Sequence, residues 1–149
     1  MSAQAAIQAA IVAALLVSPA AAGGNVKANT TRPVASSSSS AVVVRLLQST
    51  AATPQTLGGP YDWTTAYQVD CLARGAAGAS DPVAAVDALL DLVWARLSTL
   101  VTTGLGVMDV RMQPRIDWTI DDAETPLVAA TVTLQVNHRT NSTTLAAWT

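Results

Sequence analysis

The chain has 149 residues, of which 50% are hydrophobic, 4% aromatic and 12% charged, and its net charge is −2. About a quarter of the residues in an ordinary soluble domain are charged, so a surface this poor in charge suggests that neighbouring subunits cover much of it. Because the net charge is close to zero and the Lys and Arg residues are scattered, the sequence argues against binding of duplex DNA by a basic surface. The length fits a single domain, 1–149, with one core. One Cys and one His preclude an intrachain disulfide and argue against a zinc site.

The N-terminal segment is apolar and carries no charged side chain before Lys27. An apolar residue recurs every four positions, which is helical spacing: Ile7, Ile11 and Leu15. Ser2 is a suitable N-cap. The segment lacks the basic start of a signal peptide, and Pro19 cuts it below the ~20 residues that span a bilayer. We therefore expect a packed amphipathic helix, with a secretion signal and a membrane anchor as the alternatives.

Two stretches have the composition of loops. Residues 20–40 include a pair of glycines and a run of five serines, and residues 48–60 are rich in Gly and Pro. Such stretches have little to bury, so flexible loops are expected at about 20–40 and 48–60, and long loops are often binding elements. Between them, residues 42–47 form a β-branched run typical of a short strand.

The second half of the chain alternates between strand and helix patterns. Residues 63–71 show the period of a half-buried strand, and residues 82–101 have helical spacing after an Asp-Pro start. Residues 110–118 and 128–138 alternate again, with Pro114 indicating an edge strand or a bulge. The order predicts an α+β fold: an antiparallel four-stranded sheet with two helices packed on one face.

No set of side chains in the sequence has a catalytic pattern. His138 follows the apolar phase of the last strand and is interpreted as a side chain at the sheet rim, and Cys71 as a small core residue. The acidic turn Asp121, Asp122 and Glu124 contains oxygen ligands for a divalent cation, but a solvated hairpin tip accounts for it better because the pattern of a calcium loop is missing. We therefore expect no enzyme activity, no metal and no cofactor.

Two arginines of one predicted strand, Arg111 and Arg115, share a strand phase. They could project together and meet carboxylates of a neighbouring subunit. The alternative is an exposed strand face whose charges discourage edge pairing. The candidate subunit or partner interface comprises Arg111, Arg115, Asp121, Asp122 and Glu124.

The layout as a whole resembles a known family. It combines an initial helix before a variable loop, a hydrophobic strand, a strand ending in Ala-Arg-Gly, a helix at 82–101 and a closing strand with a Val-x-His-Arg-Thr ending. In this layout the chain resembles the tail terminator (minor tail protein U-like) family of siphophages.

The resemblance implies a structural virion protein in the tail or neck, present in the host cytoplasm during assembly. It implies a homo-oligomeric ring, typically a hexamer, that caps the head-proximal end of the tail tube. Its partners would be the tail tube protein and the head-connector or head-closure protein, with DNA passing through without specific binding and no membrane involved. The alternatives are another neck protein, such as a head-closure or connector subunit, and a secreted binding domain if residues 1–22 are a signal peptide.

Overall fold

The computed structural model describes residues 1–30, 35, 37–52, 57–78, 80–121 and 124–148. Two helices, a short 3-10 turn and five strands follow one another along the chain. Their bounds are α1 Ala3–Leu16, the turn Ala21–Gly24, β1 Val26–Ala28, β2 Ser40–Ala51, β3 Tyr61–Arg74, α2 Ala84–Ser98, β4 Val107–Asp121 and β5 Leu127–Thr140.

The five strands form one mixed sheet in the order β1-β2-β3-β5-β4. The expected antiparallel sheet of four strands is present as β2-β3-β5-β4. The prediction was wrong about the total, because β1 adds a fifth strand parallel to β2. With three residues, β1 is too short to show an alternating pattern, and it lies inside the segment predicted as a loop.

Helix α1 packs into the core, as expected from its apolar stripe. Ile7, Ile11 and Leu15 are all fully buried. The hydroxyl of Ser2 caps the helix by accepting a hydrogen bond of 3.2 Å from the backbone N–H of Ala5. The prediction that this helix packs into the core is confirmed, but the helix is not amphipathic, because its exposed side consists of alanine and leucine side chains.

An arginine of α2 closes the other end of α1. Nη1 of Arg96 donates to the carbonyls of Ala14 and Val17, at 3.0 and 3.1 Å, and Nη2 donates to that of Pro19 at 3.2 Å. The last carbonyls of a helix have no partner within the helix, and a basic side chain can satisfy them. Arg96 therefore ties the two helices together on one face of the sheet.

The core lies between the helices and that face. Strands β3 and β5 bury every second residue there, and the two sets oppose each other across the pairing: Tyr67, Val69, Cys71 and Ala73 on β3, and Val128, Ala130, Val132, Leu134 and Val136 on β5. The period-two pattern therefore identified the buried face correctly. Cys71 is a core residue, as expected, and burial, with the nearby Asp70 charge, raises its thiol pKa to about 12.

Several element bounds differ from the sequence prediction. Strand β2 extends well beyond residues 42–47 on both sides, so the segment predicted as a loop at 48–60 begins inside a paired strand. Helix α2 is shorter than 82–101, and Asp81 caps the turn before it by accepting from the N–H of Val83. The expected flexible segments fall partly on residues 31–34, 36 and 53–56, which lie outside the described residues.

Candidate assembly surface

Strand β4 is an edge strand. It pairs with β5 on one side, and no described strand lies on its other side. Its pairing with β5 is irregular between Met112 and Ile116, the segment that contains Pro114. The sequence predicted an edge strand or a bulge at Pro114, because proline cannot donate a ladder hydrogen bond, and the structure has both.

The irregular segment divides β4 into a covered half and an uncovered half. Val110 and Met112, before it, pack against the core and line a cleft with Leu97 and Leu100 near the end of α2. Beyond it, every second residue is large and apolar: Ile116, Trp118 and Ile120 are 37%, 43% and 45% exposed. We call these three side chains the β4 apolar row.

The β4 apolar row lies on the same sheet face as the helices. Ile116, Trp118 and Ile120 oppose the buried residues Val132, Ala130 and Val128 of β5, and directly opposed residues point to the same face. The described helices nevertheless leave the row partly open to solvent. Three large apolar side chains in line on a sheet edge are typical of an interaction site rather than of scattered surface residues.

The two predicted arginines do not act on a common partner. Arg111 forms an ion pair with Asp109, and Arg115 pairs with Asp117, with 2.8 Å between Nε and Oδ1. Both aspartates oppose residues on the sheet face away from the helices, which we call the open face. The arginine side chains are 74% and 76% exposed, so these pairs contribute little to stability.

The acidic turn is only partly described. Asp121 is the last residue of β4, and Glu124 lies between the two strands, both exposed. No ion pair involves either residue within the described part of the chain. Asp122 belongs to the predicted interface but lies outside the described residues.

The rest of the open face is held by a polar network that sequence reasoning missed. Asp70, at 4% exposure, accepts hydrogen bonds from Arg45, Gln68 and Thr131. Gln68 lies two residues before Asp70 on β3, Thr131 lies directly opposite Asp70 on β5, and Arg45 lies diagonally across on β2, so only knowledge of the strand order could have found this cluster. These three hydrogen bonds satisfy the buried carboxylate and connect the central strands β2, β3 and β5.

Another ion pair on this face joins β3 to β5. Nε and Nη2 of Arg139 donate to the two carboxylate oxygens of Asp62, at 2.6 and 2.9 Å. The hydrogen bond from Arg139 lowers the pKa of Asp62, outweighing the opposing effect of burial. Both side chains are about 40% exposed, at 40% and 42%, so the pair also remains open to solvent.

His138 lies near the end of β5, as the sheet-rim interpretation expected, but its side chain is fully buried. Nε2 of His138 lies 2.9 Å from the hydroxyl of Thr65, which in turn is 2.8 Å from that of Ser49. Burial lowers the pKa of His138, so the imidazole is neutral at neutral pH. A general base must reach its substrate, and a side chain with no exposed surface orients core hydroxyls instead.

The surface also carries a shallow cleft. It has a volume of about 320 Å³ and lies between Tyr61, Trp63 and the segment 140–145. Its described lining is aromatic, aliphatic, amide and hydroxyl, without a His, Cys or carboxylate side chain. This lining offers contact surface rather than acid–base chemistry. Within the described ranges, neither helix is long and apolar enough to cross a membrane.

Comparison with known proteins gives a similarity of fold. No family model and no curated protein matches the chain. Among solved structures, it is similar to a chain of one described as "Virion of native gene transfer agent (GTA) particle", with a TM-score of 0.62 and 16% sequence identity. The match covers 90% of this chain and 95% of that chain. At this identity the similarity establishes a shared fold over nearly the whole length of both proteins.

Proposed function

We propose that this chain is a structural subunit of a phage-like virion, and that within it the chain acts as the tail terminator. The observation that carries the proposal is the near-complete overlap of its fold with a chain of a gene transfer agent particle. The overlap extends over both chains, so the shared unit is the whole subunit rather than a common motif. The resemblance of the sequence layout to siphophage tail terminators supports the finer assignment.

The surface of the chain is suited to assembly. The β4 apolar row would be costly to leave in water, since burying apolar area is worth roughly 25 cal/mol per Å². The edge of β4 adds backbone groups that can pair with another strand. A neighbouring protein in a virion satisfies both requirements, and the low content of charged residues, 12%, agrees with extensive coverage.

In the proposed role, the subunits form a homo-oligomeric ring, typically of six, on the head-proximal end of the tail tube. One face of the ring contacts the tube protein and the other contacts the head-connector or head-closure protein. The candidate contacts are the acidic turn with Asp121, Asp122 and Glu124, and the exposed arginines Arg111 and Arg115. DNA passes through without specific binding, since the net charge is −2 and both arginines are paired to carboxylates.

The proposal is tested by deleting the gene that encodes this chain and using electron microscopy to image the heads and tails that are produced. A terminator acts by covering a growing end, so its loss leaves tails of uncontrolled length that are not joined to heads. Plasmid-borne wild-type protein should restore both length and joining. Tails of normal length that fail to attach would instead assign the chain to another neck position, and normal infectious particles would refute a virion role.

The secreted-domain alternative predicts a different product. If residues 1–22 were removed, the mature protein would lack the helix whose stripe fills the core. The intact mass of protein purified from particles distinguishes the two, because the assembly role requires α1 to be present.

A further inference from the structure

The outer half of β4 presents an unprotected edge. Natural edge strands are commonly guarded by lysine, proline or an inward-pointing charge. From Ile116 to Ile120 the one charged residue is Asp117, which points to the open face and is paired with Arg115. Neither Asp117 nor Arg115 protects the apolar side of the edge.

Symmetry restricts how a second copy could cover this edge. In an antiparallel pair, directly opposed side chains point to the same sheet face. A two-fold axis perpendicular to the sheet leaves each side chain on the same sheet face in both copies. One residue of β4 must therefore lie directly opposite the same residue of the second copy, with the axis between them. With the axis at Trp118, the two Trp118 side chains lie opposite each other. Ile116 of each copy then lies opposite Ile120 of the other copy. The β4 apolar rows of the two copies then become one continuous strip.

The same axis also matches the charges on the open face. It places Arg115 opposite Asp121 of the second copy, and it does so twice because the arrangement is symmetric. Nε of Arg115 is used by Asp117, but a guanidinium has five N–H donors, which leaves the others for a second carboxylate. Asp121 has no ion pair within the described residues, so it is available.

Neighbouring registers match less well when the two sheet faces are considered together. An axis at Asp117 opposes two copies of that carboxylate, and an axis at Thr119 opposes Asp117 to Asp121, which is repulsive. A shift further towards the C-terminus opposes Trp118 to the acidic turn. An axis at Ile116 also opposes Arg115 to Asp117 of the second copy, but it brings Trp118 against Pro114, which cannot donate a ladder hydrogen bond and lies in the irregular part of the strand. The register at Trp118 is therefore the one that both faces favour.

From this self-complementarity we infer that the free subunit pairs with a second copy of this chain through β4, antiparallel about an axis at Trp118. The two five-stranded sheets become continuous. The inference goes beyond the proposed function and does not rest on it, because it concerns the subunit before assembly. In a virion, a neighbouring protein would have to displace the second copy, so self-pairing also keeps free subunits from associating at random.

The charge match is tested by analytical ultracentrifugation of the purified protein. Arg115→Asp and Asp121→Arg each turn two attractive cross-strand pairs into repulsive ones and should weaken the dimer by about tenfold. The double variant restores opposite charges and should recover most of the affinity. Arg111→Asp is the matched control: Arg111 is equally exposed and paired on its own strand, but it lies outside the proposed contact. Circular dichroism verifies that each variant is folded.

A cysteine scan tests the register itself. Trp118→Cys places two thiols directly opposite each other and should form a disulfide between copies on mild oxidation, whereas Thr119→Cys leaves them diagonal and roughly 7–8 Å apart, too far for efficient bonding. The native Cys71 is buried and does not interfere. The inference is overturned if the wild type sediments as a monomer at all concentrations, if the double variant is not rescued, if Arg111→Asp is as damaging as Arg115→Asp, or if both cysteine variants cross-link equally. None of these outcomes bears on tail length in the gene deletion, which tests the proposed function separately.

Discussion

The replacement Ile11→Ala measures how much α1 contributes to the fold. Ile11 has no exposed surface and lies in the core cluster. The substitution removes three buried carbons, worth about 0.8 kcal/mol each or roughly 2.4 kcal/mol together. The remaining cavity adds to this, while the better helix propensity of Ala returns a few tenths of a kcal/mol. We expect a loss of about 2.5–4 kcal/mol in the free energy of unfolding.

The assay is urea unfolding followed by the fluorescence of the four tryptophans, with the slope of the free energy against urea checked for constancy. Leu16→Ala is the control on the same helix, because Leu16 is 44% exposed and should cost less than about 1 kcal/mol. For a chain of this size, a loss of 3 kcal/mol lowers Tm by roughly 6–12 °C. Equal effects of the two variants, or a cost below 1 kcal/mol for Ile11→Ala, would refute the packing of α1 against the sheet.

Three further outcomes follow from the polar groups and the β4 apolar row. His138 is buried with a lowered pKa, so its contribution to stability is present above about pH 6.5 and is lost as pH falls below it. The free energy of unfolding in urea should therefore fall from pH 7.5 to pH 5.5 in the wild type, and it should fall less in His138→Gln. An equal fall in both proteins would contradict the buried neutral imidazole. Asp70→Ala should lower the free energy of unfolding by roughly 2–4 kcal/mol, because three donors lose a buried acceptor. Asp62→Ala should lower it by about 1 kcal/mol or less, because the Asp62–Arg139 pair is half-exposed. Equal losses would mean that burial does not distinguish the two sites. Trp118→Ala should lower the free energy of unfolding by roughly 1–3 kcal/mol, because more than half of this side chain is covered. It should also weaken self-association in sedimentation, and a loss above about 4 kcal/mol would place the side chain in the core instead.

The periodic patterns in the sequence determined the antiparallel core of the fold. Alternation along β3 and β5 selected the residues that the sheet buries, because side chains of a strand point alternately to its two faces whatever the surroundings. The four-residue spacing of α1 and its Ser2 cap are likewise local. Pro114 marked an edge strand with an irregularity, since the missing N–H restricts proline wherever it occurs.

Contacts between distant segments could not be obtained from these patterns. The parallel strand β1 depends on its pairing with β2 rather than on its own three residues. His138 follows the same phase as its buried neighbours, but its full burial depends on how the elements close over the end of the sheet. The network around Asp70 needs three strands side by side.

The candidate assembly surface shows the same division. Its residues, Ile116, Trp118 and Ile120, belong to an alternation visible in the sequence, and that alternation is equally consistent with burial and with exposure. The tertiary structure decided between them, because the helices cover Val110 and Met112 and leave the outer half of β4 uncovered. A local period fixes which face a side chain shares with its neighbours, whereas coverage of that face depends on where separate elements end in space.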